Sequence, residues 1–231
     1  MKIICIGRNY VEHAQELKND VPTEPVFFLK PDTALLPKGR AFYIPAFSND
    51  IHHEIELVYK VCKEGKHIAE EFAMRYVDQI SVGLDFTARD IQQRQKEKGL
   101  PWEPAKAFDH SAPIGEFIPL TELSNPSDIK FHLTINDSIV QKGSSTLMIF
   151  PIEKIISYVS KFITLKKGDL IFTGTPSGVA AIKDGDVLNC FLEGQKKLSV
   201  KIYKGLITCS IQSHKFFVPF TIYKTSKTFC L

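Results

Sequence analysis

The segment 51–59 constrains the fold more than any other part of the chain, because polar and apolar residues alternate along it. Alternation over this length predicts a half-buried β-strand. Successive side chains of a strand point to opposite faces, so Glu54 and Glu56 are expected on one face, roughly 6.5–7 Å apart along the chain. The two residues form either an ordinary solvent-facing strand surface or a pair of carboxylates that converge on one point.

A cation would relieve the repulsion between two converging carboxylates. Like charges directed at one place raise each other's pKa unless a positive charge lies between them. Carboxylate oxygens suit a hard ion such as Mg²⁺ or Mn²⁺. Residues 80–85 predict another strand, whose last residue, Asp85, is a third carboxylate. The carboxyl end of a strand is a position from which side chains reach into a cleft.

A second pair of polar residues lies near the amino terminus. The pattern of residues 11–17 permits a helix, which places His13 and Glu16 at i and i+3, as neighbours on its surface. A histidine beside a carboxylate is a candidate base with its orienting partner. An exposed helix with an incidental pair of polar residues explains the same pattern.

Composition limits the classes of protein to consider. The chain has 231 residues, with 44% hydrophobic and 24% charged residues, which suits one folded domain or one domain with an appendage. No apolar run approaches the length that crosses a bilayer, so no membrane partner is expected. The apolar block of residues 3–6 is too short for a signal peptide, and we therefore predict a cytoplasmic protein.

Charge and cysteine usage exclude further classes. The net charge is +3, but residues 204–231 contain four lysines and no acidic residue, which leaves residues 1–203 at −1. A nearly neutral body is a poor partner for nucleic acid. The five cysteines, at positions 5, 62, 190, 209 and 230, lie far apart and are expected to be reduced thiols, not a zinc site or a disulfide framework.

The remaining pattern predicts short strands with a few helices. Strands are expected over residues 2–6, 25–31, 129–135, 138–141, 170–172, 187–192 and 198–203, and helices over residues 69–76, 87–98 and 152–162. Hairpin turns are predicted at residues 63–66 and 136–137. Residues 99–108 are expected to be irregular. The glycine-rich loop 173–179 lacks the lysine and spacing of a phosphate loop, so it binds a carboxylate or only makes a tight turn.

Six segments together resemble the fumarylacetoacetate hydrolase family, and above all its short single-domain, acylpyruvase-like members. The resemblance covers residues 1 to about 203. The segments are Gly7-Arg8-Asn9-Tyr10 with His13 and Glu16, Phe28-Leu29-Lys30-Pro31, His53-Glu54-Ile55-Glu56-Leu57, Leu84-Asp85-Phe86-Thr87-Ala88-Arg89-Asp90, Lys98-Gly99-Leu100-Pro101-Trp102 with Lys106, and Thr173-Gly174-Thr175-Pro176-Ser177-Gly178-Val179.

The resemblance implies an α+β fold, a mixed β-roll or β-sandwich with a few short helices, in a homodimer. It implies that the metal, Mg²⁺ or Mn²⁺, is bound by Glu54, Glu56 and Asp85. The implied catalytic residues are His13 and Glu16, which activate water, and Lys106, which lies near a developing enolate. The implied substrate-binding residues are Arg8, Lys30, Gln92 and Thr175, of which Lys30 and Thr175 could instead support the metal ligands.

The activity that the resemblance implies is hydrolysis of the C–C bond of an acylpyruvate to pyruvate and a carboxylic acid. An α-keto acid can bring a carboxylate and a keto oxygen to one Mg²⁺. The same site could decarboxylate oxaloacetate or catalyse keto–enol isomerisation. A catalytically inactive assembly protein that retains the fold is a further alternative. The chain departs from the family in its basic, aromatic tail, residues 204–231, which has no family role.

Overall fold

The computed structural model describes residues 1–16 and 20–205 as a set of short strands with few helices. The strands are β1 Ile3–Gly7, β2 Val26–Lys30, β3 Phe42–Ile44, β4 Ile51–His53, β5 Ile55–Val61, β6 Val77–Leu84, β7 Thr87–Ala88, β8 Ile118–Pro119, β9 Lys130–Ile135, β10 Ser138–Ser144, β11 Leu170–Phe172, β12 Ala180–Ala181, β13 Val187–Leu192 and β14 Gln195–Lys204. The helices are α1 Val11–Glu16, α2 Arg89–Lys98, α3 Glu103–Lys106 and α4 Ile152–Phe162, with short 3₁₀ helices at Asp32–Ala34, Glu70–Tyr76, Leu120–Glu122 and Ser145–Leu147.

Three mixed or antiparallel sheets organise the described residues, which confirms the predicted α+β class. The largest has the strand order β2-β1-β11-β5-β6-β8, the second β10-β9-β13-β14-β3, and the smallest β12-β4-β7. Apolar side chains of the two larger sheets share one core with α4, whose buried face carries Ile155, Ile156 and Val159. No helix in the described part of the chain is long and apolar enough to cross a membrane.

The strand predicted over residues 51–59 changes sheets at Glu54. Before this residue β4 pairs with β7 and β12, and after it β5 pairs with β6 and β11. The neighbouring segment changes sheets in the same way at Asp85, between β6 and β7. The backbone N–H of Asp85 donates to the carbonyl of Glu54 at 2.8 Å. Two strand breaks therefore meet at one corner of the molecule, and each carries a carboxylate.

The expectation of a half-buried strand is wrong, because β5 is covered on both faces. Leu57 packs into the main core, whereas Val58 on the opposite face packs with Phe172 in a second, smaller cluster. Of the residues in β5, only Lys60 is partly exposed. The solvent-facing interpretation of Glu56 is excluded for the same reason, since Glu56 is 2% exposed.

One predicted hairpin forms and the other does not. Asn136 and Asp137 join β9 to β10 with positive φ angles of 48° and 67°, the backbone that a tight two-residue hairpin requires. Residues 63–66 make no such turn, because the backbone of Gly65 pairs with Leu165 instead. The chain then returns to the sheet through the 3₁₀ helix Glu70–Tyr76, where the sequence predicted a helix.

The boundaries of other predicted elements shift by a few residues. The helix predicted over 87–98 begins at Arg89, because residues 87–88 pair with β4 as a strand. The segment predicted to be irregular contains α3, which ends at Lys106. The predicted tail lies, apart from Lys204 and Gly205, outside the described residues, so its separation from the domain stays a prediction.

Candidate metal centre and active-site cleft

A cleft opens at the corner where β4 meets β5 and β6 meets β7. Its walls come from five parts of the chain: the end of β1 with α1, strand β2, the corner itself, α2 with α3, and the loop after β11. The lining residues are Ile6, Gly7, Arg8, His13, Phe28, Glu54, Glu56, Asp85, Arg89, Gln92, Lys96, Trp102, Lys106 and Thr175. The structure thus brings all but two of the predicted site residues around one cleft. The two exceptions are Glu16, which contacts the lining residue His13, and Lys30, which contacts the lining residue Asp85.

Three buried carboxylates form the floor of the cleft. Each of Glu54, Glu56 and Asp85 offers an oxygen, and these oxygens lie within 4.8 Å of one another. None of the three residues is more than 4% exposed. The backbone N–H of Gly174 donates to Oε2 of Glu56 at 2.6 Å and fixes its orientation. An all-oxygen set at this spacing fits a hard divalent cation with only small side-chain adjustments.

Three protein cations neutralise these carboxylates. The ammonium of Lys106 donates to Oε2 of Glu54 at 2.7 Å and to Oδ2 of Asp85 at 2.8 Å. Arg89 donates to Oε1 of Glu54 at 2.6 Å. Lys30, which is 1% exposed, places its ammonium 2.7 Å from Oδ1 of Asp85. The Lys106 ammonium therefore already marks a position between two carboxylates at which positive charge is stabilised.

The charges shift the two glutamates in opposite directions. Burial favours the neutral form of Glu54, but Lys106 and Arg89 outweigh this effect and hold its pKa well below the ordinary value. Burial, followed by the carboxylates of Asp85 and Glu54, raises the pKa of Glu56 well above the ordinary value. Burial also acts to lower the pKa of Lys106, but Asp85 and Glu54 outweigh it and raise that pKa. Of the two glutamates, Glu56 is therefore the one that retains a proton more readily.

The predicted His13–Glu16 pair forms and is attached to the glycine-rich loop. Nδ1 of His13 lies 3.2 Å from Oε2 of Glu16. The backbone N–H of Gly178 donates to the same carboxylate at 3.1 Å, and the hydroxyl of Ser177 donates to Glu12 at 3.1 Å. Burial lowers the pKa of His13, so the imidazole is neutral near pH 7. With Nδ1–H donated to Glu16, Nε2 carries the lone pair that can accept a proton.

The lining of the cleft is rich in positive charge. Arg8, Arg89, Lys96 and Lys106 all line it. Burial lowers the pKa of Lys96, and the neighbouring Arg8, Arg89 and Lys106 lower it further. Arg8 adopts a φ of 59°, a left-handed conformation that is uncommon for a side chain of this size. Strained backbone of this kind clusters at functional sites, where the surrounding structure holds it in place.

The other predicted substrate contacts take different positions. Gln92 lines the cleft and accepts from Arg89 at 2.7 Å. Thr175 lines it from the loop. Lys30 does not line it. The ammonium of Lys30 contacts Asp85 and the hydroxyl of Ser111, at 2.9 Å from the latter, and this geometry favours the support of a metal ligand over contact with substrate.

The cleft is narrow in this conformation. It encloses about 30 Å³, which is room for one or two water molecules. Phe28 and Trp102 form its apolar wall, with ring centroids 5.9 Å apart.

Sequence reasoning assigned no role to several residues that the structure places here. Arg89 lies in one of the segments that carry the family resemblance, but its ion pair with Glu54 forms only because β4 meets β5 and β6 meets β7 at one corner. Thr87 accepts from Lys106 at 2.6 Å. Gln141 lies on β10 of another sheet and contacts both β5 and the loop. No local pattern marks a contact between residues 86 positions apart, so Gln141 has no signal in the sequence.

A sequence model described as fumarylacetoacetate (FAA) hydrolase C-terminal matches residues 2–203. The chain belongs to the fumarylacetoacetate hydrolase family. Among curated proteins it is 44% identical to the mouse protein "Oxaloacetate tautomerase FAHD1, mitochondrial" over 203 residues, which covers 88% of this chain and 92% of the relative. It is 43% identical to "Oxaloacetate decarboxylase, mitochondrial" of Dictyostelium discoideum over 194 residues, covering 84% and 89%.

Solved structures of the family share the fold. The chain is similar to the fumarylpyruvate hydrolase of Pseudomonas aeruginosa in complex with Mn²⁺ and pyruvate, with a TM-score of 0.83 and 38% identity over 89% of this chain and 90% of the other. A fumarylacetoacetate hydrolase family protein from Yersinia pestis gives the same TM-score at 41% identity, covering 87% and 92%. These relatives are named as enzymes of oxaloacetate or fumarylpyruvate, and this member of the family is an enzyme.

The comparisons correct two expectations. The prediction of a cytoplasmic location is wrong, since the similar proteins of mouse, cattle, human and Dictyostelium are all named mitochondrial. They also favour the oxaloacetate alternative over hydrolysis of an acylpyruvate, because the curated relatives are named for tautomerisation or decarboxylation of oxaloacetate.

Proposed function

We propose that this protein is a divalent-metal-dependent enzyme that interconverts the keto and enol forms of oxaloacetate. The observation that carries the proposal is the arrangement of charge in the cleft. Carboxylates suited to a metal lie on its floor, a histidine that is neutral near pH 7 lies on one wall, and four cationic side chains are among its lining residues. A dicarboxylate that loses a proton beside a keto group requires each of these.

The metal would be held by Glu54, Glu56 and Asp85. When bound, Mg²⁺ or Mn²⁺ would supply a Lewis acid for the carboxylate and keto oxygens at one end of the substrate. The Mn²⁺ complex of the Pseudomonas relative supports a divalent ion at this centre. Both ions suit three carboxylates, and titration of the protein with each ion gives the order of their affinities.

The protein residues perform the proton transfer. Nε2 of His13 takes the proton from the carbon between the keto group and the distal carboxylate, while Glu16 holds the ring through Nδ1. Negative charge that develops on the keto oxygen is stabilised by the ammonium of Lys106, which is already fixed and desolvated. Return of the proton to oxygen completes the enol, and the reverse order regenerates the ketone.

The positive charge of the cleft lining favours oxaloacetate over a neutral acylpyruvate tail. Oxaloacetate has a second carboxylate at the end remote from the metal. Arg8 lines the cleft without a hydrogen bond to any of the described residues, and the pKa of Lys96 is lowered by burial and then by Arg8, Arg89 and Lys106. A carboxylate placed among them forms hydrogen-bonded ion pairs with these cations, whereas the acetyl group of acetylpyruvate carries no charge to pair with them.

Decarboxylation of oxaloacetate is the second candidate, since the Dictyostelium relative carries that name. Loss of CO₂ also leaves negative charge on the keto oxygen beside Lys106, but it needs no base. The two reactions therefore differ in their dependence on His13. A positioned base is worth about 10²–10⁴-fold, so His13→Ala should lose tautomerisation by that factor and lose decarboxylation much less.

The test compares three substrates with one protein preparation. Enol formation from oxaloacetate is followed by ultraviolet absorbance, and pyruvate release is followed from oxaloacetate and from acetylpyruvate, each with Mg²⁺, Mn²⁺ or EDTA. We expect metal-dependent enolisation, abolished by Glu56→Ala and strongly reduced by His13→Ala. Pyruvate release from acetylpyruvate that exceeds enolisation would overturn the proposal. Analytical ultracentrifugation of the same preparation tests the implied homodimer, and fractionated cells test a mitochondrial location.

A further inference from the structure

Gln141 connects the metal-ligand strand to the loop that carries Thr175. The residue lies on β10, in the five-stranded sheet, and its side chain is 2% exposed. The register of β10 against β9 shifts between Ile139 and Gln141, so an extra residue is inserted there. A bulge of this kind redirects a side chain. Gln141 points inward, where two other segments meet it.

The orientation of the Gln141 amide has one solution. The backbone N–H of Ile55 is only a donor and lies 3.1 Å from Oε1, whereas the carbonyl of Pro176 is only an acceptor and lies 2.9 Å from Nε2. Oε1 also accepts from Nδ1 of His53 at 2.9 Å, and Nε2 also donates to Oγ1 of Thr175 at 2.9 Å. All four hydrogen-bonding positions of the amide are thus used, two on each side.

This orientation determines what the Thr175 hydroxyl can do. Since Oγ1 of Thr175 accepts from Gln141, the hydroxyl's own proton remains for another acceptor. Among the described residues no acceptor for that proton is found, and Thr175 lines the cleft. The hydroxyl is therefore arranged as a donor toward the cleft interior.

The loop also packs directly on the bulge. A Cβ added to Gly178 would lie 2.5 Å from the carbonyl of Val140, and Gly178 has a φ of 96°. The loop thus approaches β10 more closely than a residue with a side chain would permit. This contact and the Gln141 hydrogen bonds are independent observations of the same attachment.

We propose that Gln141 is a positioning residue: it holds the loop against the strand of Glu54 and Glu56, and it directs the Thr175 hydroxyl to donate to a substrate carboxylate or keto oxygen. The proposal rests on the proposed function for the presence of a keto acid in the cleft. It assigns no contact between Gln141 and substrate.

Gln141→Glu tests the proposal with little change of shape. A carboxylate still accepts from Ile55 and His53, but on the other side it accepts the Thr175 proton and so withdraws it from the cleft. It also has no proton to donate to the carbonyl of Pro176, so one attachment of the loop is lost. We expect the Kd of pyruvate for the Mn²⁺-loaded protein to rise about 10- to 100-fold, the range for loss of a hydrogen bond to a charged group. Binding of Mn²⁺ in the absence of pyruvate should not weaken.

The matched variants separate positioning from structure. Thr175→Val should weaken pyruvate binding as much as Gln141→Glu, and Thr175→Ser should restore it. In a double-mutant cycle, Gln141→Glu should weaken pyruvate binding less in the Thr175→Val background than in the wild type, because the Thr175 proton is already absent there. Ser160→Ala is the control for a buried polar group remote from the cleft, since its hydroxyl bonds to Ile68 and Ser157. It should lower Tm without changing the Kd of pyruvate.

The outcomes distinguish this inference from the proposed function. If the wild-type protein binds Mn²⁺ and pyruvate but does not enolise oxaloacetate, the proposed function is refuted. The role of Gln141 is then still decided by the double-mutant cycle on pyruvate binding. The assignment is overturned if the losses of pyruvate affinity from the two single variants multiply in the double variant. It is also overturned if folded Gln141→Glu binds pyruvate with wild-type affinity, or if the Mn²⁺-loaded wild type does not bind pyruvate. If Gln141→Glu does not fold, Gln141→Asn, which keeps the amide but shortens its reach, takes its place in the cycle.

Discussion

Binding of the metal should release a proton from Glu56. The metal-free site raises the pKa of this carboxyl through burial and then through Asp85 and Glu54, so a cation must displace the proton that Glu56 retains. One proton per ion corresponds to an apparent affinity that rises tenfold for each pH unit, as long as the pH stays below the pKa of Glu56. Above that pKa the affinity should become independent of pH.

The assay is titration calorimetry with Mn²⁺ between pH 5 and 8, in pairs of buffers with different ionisation enthalpies. The dependence of the measured heat on the buffer gives the number of protons released. His13 also titrates near this range, so His13→Ala is the control and should retain the slope. Glu56→Gln should remove both the slope and most of the affinity.

A glutamate with its ordinary pKa of 4.5 would already be ionised over the whole range, and the affinity would then be flat. A flat profile in the wild type, or a slope that disappears in His13→Ala, would refute the reasoning. The pH dependence of the stability of the metal-free protein is a second test of the raised pKa of Glu56. A carboxyl whose pKa is raised by folding stabilises the folded state at low pH, and this contribution is lost as the pH rises through the folded pKa.

Three further outcomes are expected. Lys106→Met removes one partner of a buried ion-pair network, so the free energy of unfolding of the metal-free protein should fall by about 3–5 kcal/mol. This corresponds to roughly 6–20 °C in Tm at about 2–4 °C per kcal/mol. Mn²⁺ should restore much of the lost stability, and the control Lys161→Met, near the surface, should change Tm little. Arg8→Asn, which tolerates the left-handed backbone, should raise KM for oxaloacetate about tenfold, roughly 1.4 kcal/mol, and leave KM for acetylpyruvate unchanged. Truncation after Gly205 should leave kcat within a few-fold, because every residue with a proposed role precedes it; loss of activity in a folded truncated protein would contradict this.

The meeting of three carboxylates at the candidate metal centre was predictable because the signals for it are local. The spacing of Glu54 and Glu56 and the strand-end position of Asp85 are visible in the sequence, and the resemblance joined them to one ion. What the spacing could not show is why they meet. Glu54 lies at a strand break instead of within one strand, because the chain changes sheets there, and that change depends on which distant strands pair.

Contacts between distant segments account for the remaining differences. The hairpin predicted at 63–66 was a sound local inference, but pairing of Gly65 with Leu165 overrode it. The proximity of Lys30 to Asp85 likewise depends on packing of β2 beside β1 and β11. Location in the cell is of another kind, since physical reasoning on composition gave the cytoplasm and the names of the relatives contradict it.

The parallel pairing of β1 with β11 has a consequence for biosynthesis. One edge of β1 pairs with the nearby β2, but at the other edge Ile3 pairs with Leu170, 167 residues later in the chain. The segments that provide Arg8 and Thr175 directly follow β1 and β11. Parallel pairing at such separation forms slowly, because chain entropy is lost before contacts compensate for it. On the ribosome, the cleft therefore cannot assemble until nearly three quarters of the chain has emerged, and metal uptake should follow synthesis instead of guiding it.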